Sequence, residues 1–98
     1  MELNSRQRAQ LRKMANGIPA IFQIGKAGIT EELISQLSLA LEARELIKIT
    51  VLETAPQSAR ETADALSLPL RAEVVQSIGR KAVLYRQSHT NKQIELCK

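Results

Sequence analysis

Ala20-Ile21-Phe22-Gln23-Ile24-Gly25-Lys26-Ala27-Gly28-Ile29-Thr30 is the stretch on which the fold turns. Ala20 to Ile24 reads as a short apolar strand. The two glycines of Gly25-Lys26-Ala27-Gly28 close it, and Thr30 is a natural helix N-cap whose hydroxyl can take a free backbone N–H. A helix follows to about Ala43, with Leu33, Ile34, Leu37, Ala40 and Leu41 on one side and Glu31 and Glu32 facing its positive end. Strand, glycine turn and helix form the opening of an α/β unit.

The neighbouring segments extend that pattern in both directions. Upstream, Ser5 to Asn16 has helical spacing at Leu11, Met14 and Ala15, and Asn16-Gly17 stops it, with Pro19 just beyond. Downstream, Leu46 to Leu52 alternates Ile47, Ile49 and Val51 with Lys48 and Thr50, the signature of a strand. Ser58 and Glu61 have capping-box spacing, so a third helix runs to about Leu66, ended by Pro69. Ala72 to Ile78 and Lys81 to Arg86 are strands joined by Gly79-Arg80 as a two-residue hairpin. The order is α-β-α-β-α-β-β: a single small α/β domain spanning 1–98, with a four-stranded mixed sheet covered by helices. Its core is about 4–87, and 88–98 is expected to be a loose tail, with Ile94 to Leu96 able to add an edge strand.

Strands separated by helices run parallel through right-handed crossovers, so their C-terminal ends share one edge of the sheet. The Gly25–Gly28 loop, the Ala55–Ser58 turn and the Gly79-Arg80 hairpin should meet there. Ligands of open α/β sheets bind outside such an edge. Lys26, Arg60, Arg80 and Lys81 are expected to form a basic rim at that edge, with few acidic neighbours besides Glu31 and Glu61. The first helix, running antiparallel to the first strand, would bring in Arg6 and also Arg8. Lys48 and Arg71 would lie at the far end. The glycines let backbone approach a phosphate, and Lys26 supplies charge. Glu31 and Glu32 argue against a phosphate seated squarely on the helix N-terminus. The long glycine spacing and Lys-Ser/Thr of a nucleotide-binding loop are absent.

Composition narrows the partners. Fourteen Lys and Arg against ten Asp and Glu give a net charge of +4 and a pI near 9.6, which favours polyanions. No apolar run approaches the ~20 residues of a membrane span, and no signal-peptide pattern opens the chain. A single Cys97 forms no internal disulfide and fits a reducing, cytoplasmic setting. His89 and Cys97 fall in the tail, where neither metal ligation nor nucleophilic catalysis is expected. Glu42 with Glu45, and Glu31 with Glu32, read as solvated helix faces rather than acid–base pairs. Phe22 and Tyr85, the two aromatics, lie in strands and should pack inside. Recognition by backbone and shape is therefore expected over base stacking.

Several segments together resemble the CRM domain (chloroplast RNA splicing and ribosome maturation), whose bacterial stand-alone members are YhbY-like. They are Gly25-Lys26-Ala27-Gly28-Ile29-Thr30, Ala40-Leu41-Glu42, Glu45-Leu46-Ile47-Lys48-Ile49, Gln76-Ser77-Ile78-Gly79-Arg80-Lys81 and Leu84-Tyr85-Arg86, in an order and spacing that cover about Asn4 to Leu96. The resemblance implies an RNA-binding domain like the C-terminal domain of translation initiation factor three. Its GxxG loop maps onto Gly25, Lys26, Ala27 and Gly28. RNA contacts at Arg6, Arg60, Arg80 and Lys81 follow instead from charge and topology. The bacterial family is associated with precursors of the large ribosomal subunit. The expectation is thus a non-catalytic, cofactor-free factor binding structured rRNA of that precursor, the alternative being a module that docks acidic proteins.

Overall fold

The computed structural model describes residues 2–98. Its elements are α1 (Ser5–Ala15), β1 (Ala20–Ile24), α2 (Glu31–Arg44), β2 (Leu46–Val51), α3 (Ala59–Leu70), β3 (Glu73–Ile78) and β4 (Lys81–Tyr85). The sheet order is β1-β2-β4-β3; β1 and β2 are parallel, and β4 runs antiparallel to both β2 and β3. The first three strands therefore point the same way, and the returning β4 slots between β2 and β3.

Strand alternation divides the apolar residues between two cores. Ile47, Ile49 and Val51 of β2, with Ala82 and Leu84 of β4, face α2 and α3, where Leu37, Leu41, Ala63, Leu66 and Leu70 bury against them. Leu46, Val75, Val83 and Tyr85 face the other way, onto Leu11 and Ala15 of α1. Phe22 packs at the margin of the first core and Tyr85 sits inside the second, so neither ring lies on the surface as a stacking platform.

The helix ends follow local chemistry. Thr30 Oγ1 takes the Leu33 N–H at 3.0 Å, and Ser58 and Glu61 form the reciprocal capping box. Asn4 and Gln7 form another one on α1. Helix α3 continues past Leu66 and through Pro69, contrary to the sequence expectation. Pro69 lies in the last turn, so the single intrahelical N–H bond it forfeits interrupts the helix where only one residue remains, and Leu70 is pulled into the core. Arg71, left-handed at φ 55°, closes the helix, with the N–H groups of Arg71 and Ala72 donating to Leu68 and Ser67.

The segment from Ser88 onward is tied down rather than loose, and it adds no strand. The Glu45 carboxylate, fully buried at a residue with φ 66°, accepts the N–H groups of Ser88, Gln93 and Ile94 at 2.6–2.7 Å. Glu42 Oε2 accepts from the Ser88 and Thr90 hydroxyls and from the His89 and Thr90 N–H groups. These two acids are therefore structural anchors, not a solvated helix face. The hydrogen bonds, that from the Ser88 hydroxyl foremost, hold the Glu42 carboxyl at about 2. Burial works to raise the Glu45 carboxyl, but the backbone N–H groups outweigh it and hold it below the usual range. Burial, then the Glu45 charge, pushes the Tyr85 phenol up. Ile94 caps the second core, and the last residues run along α1, where Gln10 exchanges hydrogen bonds with the backbone of Glu95 and Cys97.

Candidate nucleic-acid interface

Three loops meet at the C-terminal edge of the parallel strands, and backbone bonds fix them there. The Leu52 N–H donates to the Ile24 carbonyl at 2.8 Å, joining the ends of β1 and β2. The Val51 N–H donates to the Arg80 carbonyl at 2.7 Å, joining β2 to the hairpin. The turn Gly25–Gly28 is closed by the Gly28 N–H on the Gly25 carbonyl at 2.9 Å. Lys26 and Ala27 stand exposed at its crest.

The two loop glycines differ. Gly28 has φ 65°, and a Cβ there would stand 2.9 Å from Pro56 Cγ, so the turn itself demands glycine. At Gly25 a Cβ would make ordinary 3.6 Å contacts with Leu52 and Thr54, and the fold makes no such demand. Thr30 is occupied as the cap of α2, and Glu31 and Glu32 are exposed beside it, so the end of α2 is not an anion seat.

The expected rim is brought together in part. Lys26, Arg80 and Lys81 belong to the loop edge: Gly79-Arg80 forms the hairpin with Gly79 at φ 58°, and Lys81 opens β4 opposite Thr50 and Ile78. Arg80 is paired with Glu53, an acidic neighbour the sequence reading passed over, and both side chains are more than half exposed. Between hairpin and α3 lies an open cleft of about 360 Å³ lined by Glu53, Pro56, Ser58, Gly79 and Arg80. Arg60 pairs with Asp64 at 3.1 Å and lines a separate cleft with Arg8 along the outer edge of β3.

Arg8 donates to the Val74 carbonyl and approaches Glu73 at 3.9 Å, so the first turn of α1 lies by the start of β3. Helix α1 crosses the sheet with its N-terminus at the end remote from the loops. Arg6, exposed on that first turn, therefore stands apart from the rim it was expected to join. Arg71 precedes β3 at the far end as expected. Lys48 does not join it there; it shares a cleft with Lys81 on the α1 side of the sheet.

No group of three His, Cys, Asp or Glu side chains among the described residues is placed to hold a metal ion. No described helix is long and apolar enough to cross a membrane.

Comparison with known proteins adds an independent finding. The sequence profile of the CRS1 / YhbY (CRM) domain matches residues 3–86. The "Probable RNA-binding protein YqeI" of Bacillus subtilis is 45% identical over 94 residues, covering 96% of this chain and 98% of that protein. A Haemophilus influenzae protein named "RNA-binding protein" is 30% identical over 90 residues, covering 92% and 91%. The solution structure of the Staphylococcus aureus protein SAV1595 matches with a TM-score of 0.81 at 47% identity, covering 98% of this chain and all 100% of that one.

Proposed function

The chain belongs to the CRS1 / YhbY (CRM) domain family, and from that membership we propose that it is a non-catalytic RNA-binding factor acting on the precursor of the large ribosomal subunit. In this reading Gly25, Lys26, Ala27 and Gly28 meet the ribose–phosphate backbone of structured RNA, with Arg80 and Lys81 beside them. Arg60 contributes from the flank through the β3-edge cleft, and Arg6 contributes only to the long-range field. The factor needs no metal or cofactor, and it works in the cytoplasm, holding an rRNA helix during assembly.

One observation carries the proposal: three loops are locked together by backbone bonds, which leaves Lys26 exposed at their crest with no ion pair among the described residues. A preformed edge of this kind binds phosphate without reorganising. The names of the relatives point the same way.

The test is a salt titration of binding to large-subunit rRNA fragments. Affinity should fall linearly on log–log axes, and Lys26→Ala should flatten the slope by about 0.7–0.9, one phosphate contact. Affinity that ignores salt, or equal binding to polyglutamate, would favour docking of acidic proteins instead. Crosslinking in cells then addresses the target: fragments from the large-subunit precursor support it, and enrichment of other RNA replaces it.

A further inference from the structure

Helix α1 covers only half of the sheet face on which it lies. Its buried Leu11 and Ala15 meet Leu46, Val75, Val83 and Tyr85. Nearer the loops the same face is uncovered. There the strand pairing sets Gln23 opposite Thr50, Thr50 opposite Lys81, and Lys81 opposite Ile78, one row across all four strands. Their strand neighbours Ile24, Val51 and Ala82 are in the opposite core, so this row faces the α1 side. One step further in, Lys48 and Gln76 flank Val83. Asn16, just past the end of α1, closes the area, lining with Lys48, Gln76, Ile78 and Lys81 an open cleft of about 150 Å³.

The chemistry of this half-sheet is one-sided. It carries two ammonium groups, neither in an ion pair among the described residues, and no carboxylate occurs in its rows. Its neutral polar groups are the amides of Asn16, Gln23 and Gln76 and the hydroxyl of Thr50, each able both to donate and to accept, beside the exposed apolar side chain of Ile78. That set matches a ribose 2′-hydroxyl flanked by phosphates. No aromatic side chain is present for stacking. The row spans three inter-strand spacings, about 14 Å. It is also continuous with the loops: β1 leads from Gln23 into Gly25, and Gly79-Arg80 joins Ile78 to Lys81.

We infer that this open half-sheet is a second contact surface for the RNA held at the Gly25–Gly28 loop, with Lys48 and Lys81 on successive phosphates and Thr50, Gln76 and Asn16 on 2′-hydroxyls. The inference rests on the RNA-binding reading above and extends it from backbone charge to discrimination of RNA from DNA.

Two variants test it against an rRNA hairpin and the DNA hairpin of the same sequence. Lys48→Met keeps the apolar stem and removes the charge; it should weaken RNA binding roughly three- to tenfold and flatten the salt slope by about 0.7–0.9. The double variant Thr50→Val with Gln76→Met should lose roughly fivefold in RNA affinity and leave DNA affinity unchanged. Melting temperatures on the same samples show that the fold is kept. If both variants melt and bind as wild type while Lys26→Ala loses affinity, the half-sheet is no RNA contact and the loop reading stands. If wild type shows no salt-dependent RNA binding at all, the loop reading fails with it. If the variants lose binding to polyglutamate but not to RNA, the surface docks acidic polypeptide and the inference is overturned.

Discussion

The two ends of the sheet handle charge in opposite ways. At the loop end Lys26, Arg80 and Lys81 stand in water, and the bonds that join the loops beneath them are backbone to backbone, Leu52 to Ile24 and Val51 to Arg80. At the other end Glu42 and Glu45 are wrapped by the N–H and hydroxyl groups of the C-terminal segment, so side chains themselves make the architecture. Where backbone bears the structure, side chains remain available to a ligand and can be changed with little effect on folding. Where side chains bear it, they are committed. Substitutions at the two ends should therefore separate binding from stability.

The largest effect is expected at Glu45. Glu45→Ala leaves the N–H groups of Ser88, Gln93 and Ile94 without their acceptor. At ~1 kcal/mol or more for each, the loss is about 3 kcal/mol, which for a domain of this size lowers Tm on the order of 15 °C. RNA affinity of the folded protein should not change. Glu45→Gly adds a control, since glycine relieves the φ of 66° and should recover roughly 1 kcal/mol of the loss. A Glu45→Gly protein melting at or above wild type would mean that backbone strain outweighs the carboxylate, and the contrast between the two ends would fail.

Acid should expose the same difference. The folded state holds Glu42 at about 2 against an ordinary 4.5, and it also lowers Glu45. A depressed carboxyl contributes stability that is fully present above the ordinary value and is lost as pH falls through the folded one. Stability should therefore decline between pH 4.5 and about 2, with the protection of the Thr90 and Ile94 amides from exchange, relative to an unstructured chain at the same pH, lost first. Glu42→Gln should start less stable and lose less across that window. An identical acid profile in wild type and variant would remove Glu42 from the account.

Next in size is the pair of loop glycines, where fold and ligand make separable demands. Gly28→Ala places a side chain at φ 65° against Pro56, so it should lower stability by roughly 1–2 kcal/mol whether or not RNA is bound. Gly25→Ala meets only ordinary contacts and should leave stability within about 0.5 kcal/mol. Its RNA affinity should nevertheless fall roughly tenfold if a phosphate approaches that backbone closely. Wild-type affinity in Gly25→Ala would eliminate close approach at that residue, leaving Lys26 as the loop's contribution.

What the sequence made legible was local or periodic. Thr30 as cap, the Ser58–Glu61 box, the Gly79 turn and the alternation of Ile47, Ile49 and Val51 each depend on a few neighbours, and they suffice to gather three loops at one edge. What stayed hidden depends on distance along the chain. Glu42 and Glu45 find partners more than forty residues away, and nothing in Ser88-His89-Thr90-Asn91 announces an acceptor. Arg6 was misplaced because the direction of α1 is set by which half of a sheet face it buries, not by its short link to β1. Lys48 could have been placed: its alternation with Ile47 and Ile49 puts it on the α1 face, and only the extent of α1's cover decides whether it sees water. Pro69 was overruled by the burial of Leu70, one tertiary contact outweighing a local rule.

The smallest expected effect distinguishes two roles for one acid at the loop end. Arg80 is paired with Glu53, and both are well exposed, so the pair contributes no more than about 0.5 kcal/mol to folding. Glu53→Gln should melt as wild type. It removes a negative charge from the edge and releases the guanidinium. If Glu53 merely competes with phosphate for Arg80, RNA affinity should rise roughly threefold, and the salt slope should steepen by about 0.7–0.9 as Arg80 takes a phosphate of its own. Arg80→Ala should then remove that gain, so that the double variant binds like Arg80→Ala alone. If Glu53 instead holds Arg80 in the orientation the RNA requires, Glu53→Gln should weaken binding at unchanged Tm. That result would carry the logic of the Glu42 and Glu45 anchors to the loop end, making Glu53 a positioning residue on an edge whose loops are otherwise joined by backbone bonds.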